Sequence, residues 1–210
     1  MIPALRQRFN AGWSEARYRG MIERLQQRAG GRLEFPVSET PCFFPRALLE
    51  QLARDGTALI EQAVGGAAAA AAAEVVPPRY RGAAATEPHP TFLQVDFGLV
   101  RNDAGDVEPR LVELQAFPSL YAFQAALADA YAEAFALPAD LDRFLGGLTA
   151  DRYRALLQQA IAGAHDPREV VLIEIDPEQQ KTRPDFVLTD AFWGVRAIDA
   201  RALVRQGSRR

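Results

Sequence analysis

Apolar residues recur every three or four positions along much of the chain, a spacing that predicts amphipathic helices. In one such stretch Leu48, Leu52 and Leu59 share a face. This spacing, or a high alanine content, predicts helical segments at Pro3–Arg28, Pro45–Val64, Ala67–Glu74, Leu120–Phe135, Pro138–Phe144, Thr149–Ala162 and Asp185–Gly194. Proline-rich sequence between them predicts irregular structure at Arg32–Phe44 and Pro77–Pro90.

Two segments instead alternate between apolar and polar residues, which predicts a β-hairpin. They are Thr91–Val100 and Arg110–Gln115, and the turn-rich sequence Asn102–Asp106 joins them. In the second segment Val112 and Leu114 are expected on the apolar face. The hairpin therefore has one face that can pack on a helix and one face that carries polar side chains.

The polar face of this hairpin brings like charges together. If the turn is centred between residues 104 and 105, Asp96 lies opposite Glu113, and Gln94 lies opposite Gln115. Two carboxylates directly opposite each other across a strand pair destabilise it. A bound cation, protonation of one acid, or screening by water and arginine would each relieve the repulsion.

A second type of strand is predicted near the end of the chain. Glu169–Asp176 contains a continuous apolar run, which is typical of a buried and often parallel strand, and a shorter strand is expected at Val195–Ala200. The fold class that follows is α/β, with a mixed sheet, a central β-hairpin and flanking helices. We expect a helical N-terminal region at residues 1–76 and an α/β domain at residues 77–210.

The composition argues against several classes of protein. The 210 residues are 49% hydrophobic and 24% charged, and the net charge of −3 implies no broad basic face for nucleic acid. No apolar run has the length of a membrane span, and the N-terminus lacks the apolar core of a signal peptide, so we expect a cytoplasmic protein without a membrane partner. The single cysteine, Cys42, excludes an internal disulfide. Sequence motifs for phosphate loops, dinucleotide binding, zinc proteases and serine hydrolases are absent.

The candidate chemistry begins with the acidic pair. Oxygen ligands without cysteine or histidine favour a hard cation, Mg²⁺ or Mn²⁺, and Asp96, Glu113 and Gln115 offer such a set. The simpler alternative is a half-solvated hairpin whose polar face meets water.

A second set of polar residues follows the later strand and the hairpin. Ligands in open α/β sheets gather at the carboxyl ends of strands, and Glu174 and Asp176 lie at such an end. Ser119 is expected to cap the helix after the hairpin, where an anion could bind. The candidate substrate-binding residues are thus Ser119, Glu174, Asp176, Lys181 and Arg183. Lys181 is the only lysine in the chain, which suggests either a required ammonium group or a leftover surface residue.

The segments VDFGLV, RLVELQAFPSLYAFQ and VLIEIDPEQQKTRPDF resemble circularly permuted ATP-grasp ligases of the glutathionylspermidine synthase-like group. The resemblance covers roughly residues 90–200 and implies a pre-ATP-grasp-like fold. It also implies that Asp96 and Glu113 bind Mg²⁺ together with Gln115, which stands where the family has asparagine. The implied reaction is ATP-dependent ligation of a small-molecule carboxylate to an amine through an acyl phosphate.

The chain departs from this family in three places. Gln94 occupies the position of an arginine that is thought to stabilise the tetrahedral intermediate, so it is our third catalytic candidate beside Asp96 and Glu113. The sequence AFPS replaces a polar turn, and no nucleotide-binding half is recognisable before residue 210. We therefore expect the N-terminal portion of a longer ligase or a shortened relative, inactive by itself and possible as a homo-oligomer. The alternatives are a non-catalytic binding or interaction domain, and an unrelated α/β enzyme that uses Glu174 and Asp176.

Overall fold

The computed structural model describes residues 1–65, 71, 74–80, 90–117 and 119–204. The mixed α/β class expected from the sequence is confirmed. The chain forms two compact units, one made of Met1–Phe43 with Ser119–Arg210 and the other of Phe44–Pro118. Neither boundary coincides with the division at residue 76, because tertiary packing joins the first two helices to the C-terminal part of the chain.

Six α-helices are described: α1 (Pro3–Gly12), α2 (Glu15–Arg28), α3 (Arg46–Val64), α4 (Tyr121–Phe135), α5 (Ala150–Ala162) and α6 (Arg183–Trp193). The side chains of Ser14 and Thr149 accept backbone N–H groups and so begin α2 and α5. None of the described helices is long and apolar enough to span a membrane.

One helical expectation is wrong, and two other predicted segments, one helical and one irregular, lie mostly outside the described residues. Pro138–Phe144 forms turns rather than a helix. The segment is short, and Gly146 and Gly147 after it have φ values of 65° and 70°, so no further helical turns extend it. Most of Ala67–Glu74 and Pro77–Pro90 lies outside the described residues.

The first unit is built around α4, which packs against α2 and α6. Alanines at every fourth position of α4, including Ala122, Ala126 and Ala130, are buried and allow neighbouring helices to approach closely. Met21 and Leu25 of α2 are completely buried. The ring of Phe123 meets Phe35 edge to face, with the centroids 5.2 Å apart.

A parallel strand pair completes this unit. Strands β3 (Val171–Glu174) and β4 (Arg196–Asp199) pair in parallel and are joined through α6, which confirms the parallel pairing expected from the apolar run. The expected burial of this strand is wrong, because Val171 is 44% exposed and Ile173 is 54% exposed. Helix α6 packs against β4. The carboxyl ends of both strands, at Glu174 and Asp199, therefore lie side by side.

The second unit contains the hairpin, formed by β1 (Gln94–Arg101) and β2 (Val107–Gln115). Its apolar face packs on α3, where a Cβ at Gly56 would lie 3.5 Å from the side chain of Val95 and 3.7 Å from Phe97. Among the described residues the hairpin and the parallel pair are two separate two-stranded sheets rather than the single mixed sheet expected from the sequence.

Candidate metal and substrate sites

The pairing of acids across the hairpin is confirmed, although the turn that was expected to produce it is displaced. Asp96 pairs with Glu113, and Gln94 pairs with Gln115. Near the turn, however, Arg101 pairs with Val107, which is one residue out of step with a turn centred between residues 104 and 105. A bulge next to Asp96 restores the register before the acidic pair is reached.

The bulge also moves one apolar side chain. Phe97 pairs with Leu111 while Asp96 pairs with Glu113, so Val112 is the extra residue. A Cβ placed on Gly98 would lie 3.4 Å from Val112, and Gly98 shares the face of Asp96 because side chains alternate. The prediction that Val112 lies on the apolar face is therefore wrong: it lies on the acidic face and is 66% exposed.

Two glutamine amides hold the acidic pair. The Nε2 atom of Gln115 donates to Oδ2 of Asp96 at 2.8 Å and to Oε1 of Glu113 at 2.7 Å. The Nε2 atom of Gln94 donates to Oδ1 of Asp96 at 2.8 Å. An amide nitrogen carries two hydrogens, so Gln115 can satisfy both carboxylates at once. Hydrogen bonds from neutral donors thus reduce the repulsion that the sequence predicts.

The donor set fits a hard cation. Asp96 and Glu113 supply carboxylate oxygens, and rotation of the Gln115 amide would present its carbonyl oxygen where its nitrogen now lies. Mg²⁺ is commonly held by one or two carboxylates together with water and substrate phosphate. Within the described part of the chain no group of three or more His, Cys, Asp or Glu side chains is arranged to hold a metal, so any cation here would depend on the amide and on ligands from outside.

The other candidate residues lie in the first unit, where polar groups meet at the carboxyl ends of β3 and β4. The Oε1 atom of Glu174 accepts from the N–H of Ile175 at 2.7 Å. The N–H of Asp176 donates to Oδ2 of Asp199 at 3.2 Å. Arg201 binds Asp199 through Nε and Nη2 and lies 3.7 Å from Asp176.

Asp199 and Arg201 were not identified from the sequence. Hydrogen bonds from Arg201 hold the pKa of Asp199 well below its usual range. The available signal was position, because Asp199 ends β4 and Arg201 follows it, just as Glu174 ends β3 and Asp176 follows it, and parallel strands end at the same edge. With its acids engaged by an arginine of the chain, this cluster resembles a closed ion-pair network more than an open site.

Lys181 and Arg183 have different surroundings. Lys181 is exposed and makes no hydrogen bond or ion pair among the described residues. Arg183 donates to Oε2 of Glu178 at 2.7 Å and to the carbonyl oxygen of Gly30 at 3.0 Å, so it ties the start of α6 to the turn after α2. The substrate-binding roles of Lys181, Arg183, Glu174 and Asp176 stay predictions.

The helix N-terminus expected to bind an anion is occupied by the protein's own carboxylate. Helix α4 begins after Leu120, which has φ 69° and no side-chain cap, so the prediction that Ser119 caps it is wrong. The two carboxylate oxygens of Asp185 accept the N–H groups of Leu120 at 3.0 Å and Phe123 at 2.8 Å. Ser119 itself is exposed, and its part in substrate binding stays a prediction.

Asp185 is the buried acid that sequence reasoning missed as a cap. It is 6% exposed, and burial raises the pKa of its carboxyl group although the backbone N–H donors oppose that shift. An acidic residue in the first turn of a helix is usually interpreted as stabilising that helix through its dipole. The spacing to the buried residues Leu188 and Thr189 was the signal that Asp185 faces inward.

Two cavities among the described residues of the first unit contain no site residue proposed from the sequence. A groove of about 300 Å³ between α2 and residues 33–37 is lined by Tyr18, Arg19, Ile22, Glu23, Gln26, Leu33, Phe35, Pro36 and Val37. A cavity of about 220 Å³ is lined by Leu5, Arg8, Phe9, Gly12, Phe43, Phe135, Ala136, Leu137 and Pro138. Glu174 and Asp176 line neither of these two cavities, which therefore give no support to an enzyme that uses this pair.

Comparison with known proteins adds no assignment. No protein-family model, curated protein or solved structure matches this chain. The candidate site consequently depends on the hairpin geometry and on the sequence resemblance alone.

Proposed function

We propose that this chain supplies the magnesium and substrate contacts of an ATP-dependent carboxylate–amine ligase of the ATP-grasp type, within a pre-ATP-grasp-like fold. The observation that supports the proposal is the convergence of Asp96, Glu113 and Gln115 on one face of the hairpin, where both carboxylates lie within 2.8 Å of the Gln115 amide nitrogen. The substrates would be a small-molecule carboxylate and an amine in the cytoplasm, with ATP as the phosphoryl donor.

Each hairpin residue has a chemical part in this proposal. Asp96 and Glu113 would hold Mg²⁺ or Mn²⁺, with the carbonyl oxygen of Gln115 as a third ligand. A divalent ion in such a site neutralises charge on the phosphate oxygens during phosphoryl transfer. The substrate carboxylate takes the γ-phosphoryl group to become an acyl phosphate, and the amine then displaces phosphate to form the amide.

Gln94 is proposed to act through Asp96. Its amide donates to Asp96 at 2.8 Å, which fixes the carboxylate's orientation and leaves the second oxygen for Gln115 or a cation. A neutral amide stabilises developing negative charge less than an arginine does. We therefore assign Gln94 to positioning of the cation ligand rather than to stabilisation of the tetrahedral intermediate.

The test is Mg²⁺-dependent binding of ATP, measured by calorimetry on the full natural protein, with Mn²⁺ binding followed in parallel by electron paramagnetic resonance. We expect Glu113→Gln to weaken metal binding by about tenfold, since it removes one charged ligand. The matched control is Glu108→Gln on the same strand, where the half-buried carboxylate pairs with Arg110 at 2.5 Å. Equal metal affinity in the two variants and the unmodified protein would remove the basis of the proposal.

A second function, a non-catalytic ligand-binding or interaction domain, is favoured by one observation. The two carboxylates are satisfied by glutamine amides of the same hairpin, so the fold needs no cation to tolerate them. On this alternative the hairpin keeps its structure while neither metal nor nucleotide binds. Calorimetry separates the two functions, because only the ligase requires nucleotide binding that depends on Mg²⁺.

A further inference from the structure

Strand β3 has an apolar side whose side chains are largely exposed. Val171 is 44% exposed, Ile173 is 54% exposed and Ile175, just after the strand, is 63% exposed. Parallel strands are normally covered on both faces and flanked by further strands. Here β4 is the strand that pairs with β3 among the described residues, so the other edge of β3 is open.

Three residues direct their backbone groups to this edge: those of Val171 and Ile173 are available for pairing, whereas those of Ile175 already bind side chains. The N–H of Ile175 donates to the Glu174 carboxylate, and its carbonyl oxygen accepts from Nε2 of Gln180 at 2.8 Å. The N–H of the next residue, Asp176, donates to Asp199 at the end of β4, so by alternation the backbone groups of Ile175 are directed away from β4. Because alternate residues of a strand direct their N–H and C=O groups to the same side, those of Ile173 and Val171 also point outward.

The outward backbone groups of β3 can pair with the same groups of a second copy that is related by a twofold axis. When two β3 strands pair antiparallel about Leu172, Val171 of one copy lies opposite Ile173 of the other, and their free N–H and C=O groups exchange hydrogen bonds. The paired Val and Ile side chains then contact each other across the strands. The pairing ends at Ile175, whose backbone groups are already bound by side chains of its own copy.

Charges at the two ends of β3 match this arrangement. The same register brings Glu169, just before β3, beside Ile175 of the second copy. Lys181 follows Gln180, which holds the carbonyl oxygen of Ile175, so the lysine lies at that end of the strand. Both charged side chains are exposed, and neither makes a hydrogen bond or ion pair among the described residues. Antiparallel pairing therefore places opposite charges together at both ends of the interface.

We propose that β3 is a self-association edge through which two copies of this chain form a symmetric four-stranded sheet. The occupant is a second copy because the open backbone groups, the apolar residues and the terminal charges all complement themselves in one register. Two short strands cover less area than a permanent dimer needs, so the dimer forms and dissociates with protein concentration. This inference is independent of the ligase proposal.

The test is analytical ultracentrifugation of the full chain from low micromolar to near-millimolar concentration, with amide hydrogen exchange on the same samples. We expect the 23.1 kDa species to give way to one of twice that mass as concentration rises. The amides of Val171 and Ile173 should become protected in parallel, while other exposed amides stay unchanged. A monomer at every concentration overturns the proposal, and so does protection of these amides that is already complete at the lowest concentration, since another segment of the same chain would then cover the edge.

Substitutions test the register in which the two β3 strands pair. Ile173→Lys should abolish the dimer, whereas Leu203→Lys, at an equally apolar residue that is 51% exposed outside β3, should leave it unchanged. Lys181→Glu or Glu169→Lys alone should weaken association about tenfold, and the two together should restore it. These two exposed residues keep the test decisive if Ile173→Lys does not fold, as judged by circular dichroism. A dimer that persists in Ile173→Lys, or the absence of rescue in the charge-swapped double variant, overturns the proposed edge.

Discussion

Two carboxylate sites in this protein are held by opposite means. Asp185 is 6% exposed and accepts backbone N–H groups at the start of α4. Asp96 on the hairpin is half-buried, and within the described part of the chain its carboxylate accepts from the side-chain amides of Gln94 and Gln115 alone. Backbone donors are fixed by the helix to which they belong, whereas a glutamine amide can rotate away and be replaced by water or a ligand.

This difference indicates that Asp185 has a structural role, whereas the hairpin acids are available to bind a ligand. Removing Asp185 would leave helix N–H groups without acceptors in the interior, where water cannot reach them easily. Releasing Asp96 or Glu113 from Gln115 costs little, because the hairpin face is accessible to solvent. The hairpin acids can therefore accept a cation without unfolding their surroundings, while the buried acid cannot.

The largest effect is expected from Asp185→Ala. The substitution removes the acceptor of the N–H groups of Leu120 and Phe123 and so should lower the free energy of unfolding by about 2–4 kcal/mol. Chemical denaturation followed by circular dichroism measures this change. Asp190→Ala is the matched control on the same helix, since Asp190 is exposed and its carboxylate makes no hydrogen bond among the described residues. Equal stability of the two variants would contradict the capping role.

The pH dependence of Asp185 should produce a smaller effect. Burial raises the pKa of Asp185 in the folded state above its ordinary value of 3.8. The folded protein therefore keeps this proton at pH values where the unfolded chain has lost it, so the free energy of unfolding falls as pH rises through this range. The stability that the protonated carboxyl group contributes is fully present below pH 3.8 and is lost as pH rises through the native pKa.

The difference is taken against Asp185→Asn, which does not titrate. Below pH 3.8 the carboxyl group is protonated in both states and its ionisation adds nothing to the stability difference between the proteins. As pH rises above that value, the unfolded chain releases its proton first, and the unmodified protein loses stability relative to the variant until Asp185 also ionises in the fold. Denaturation curves at a series of pH values measure this trend, and a relative stability that increases with pH would contradict the direction of the shift.

Local sequence patterns predicted the secondary structure well and the packing between elements poorly. The hydrophobic periodicity located five of the helical segments, and the alternation located both strands of the hairpin. The failures are tertiary. Whether α3 packs on the hairpin through Gly56 depends on contacts between distant residues, and the bulge at Val112 depends on how the strands close. Neither leaves a periodic signal in the sequence.

The candidate site was predicted in part for the same reason. The opposition of Asp96 and Glu113 follows from strand pairing, and it holds because the displaced turn and the bulge compensate each other. The cap of α4 was predicted from the neighbouring Ser119, whereas the structure uses Asp185 from a helix more than sixty residues away. Sequence-based capping rules assign the cap to a side-chain oxygen that is near in the sequence, whereas in the folded chain the acceptor is the one that lies near in space.

The smallest effect concerns the amide between the hairpin acids. Gln115→Ala leaves Asp96 and Glu113 opposite each other without a shared donor, and should destabilise the hairpin by about 0.5–1 kcal/mol. Amide hydrogen exchange in β1 measures the change within the hairpin, and Gln179→Ala, at an exposed glutamine of the other unit, is the control.

In a Glu113→Gln background the Gln115→Ala substitution should cost less stability, because the like-charge pair is gone. If the acids hold Mg²⁺, the cation should restore exchange protection to Gln115→Ala but not to the double variant. Equal costs in both backgrounds would show that Gln115 contributes packing alone, and the contrast with Asp185 would then lose its electrostatic basis.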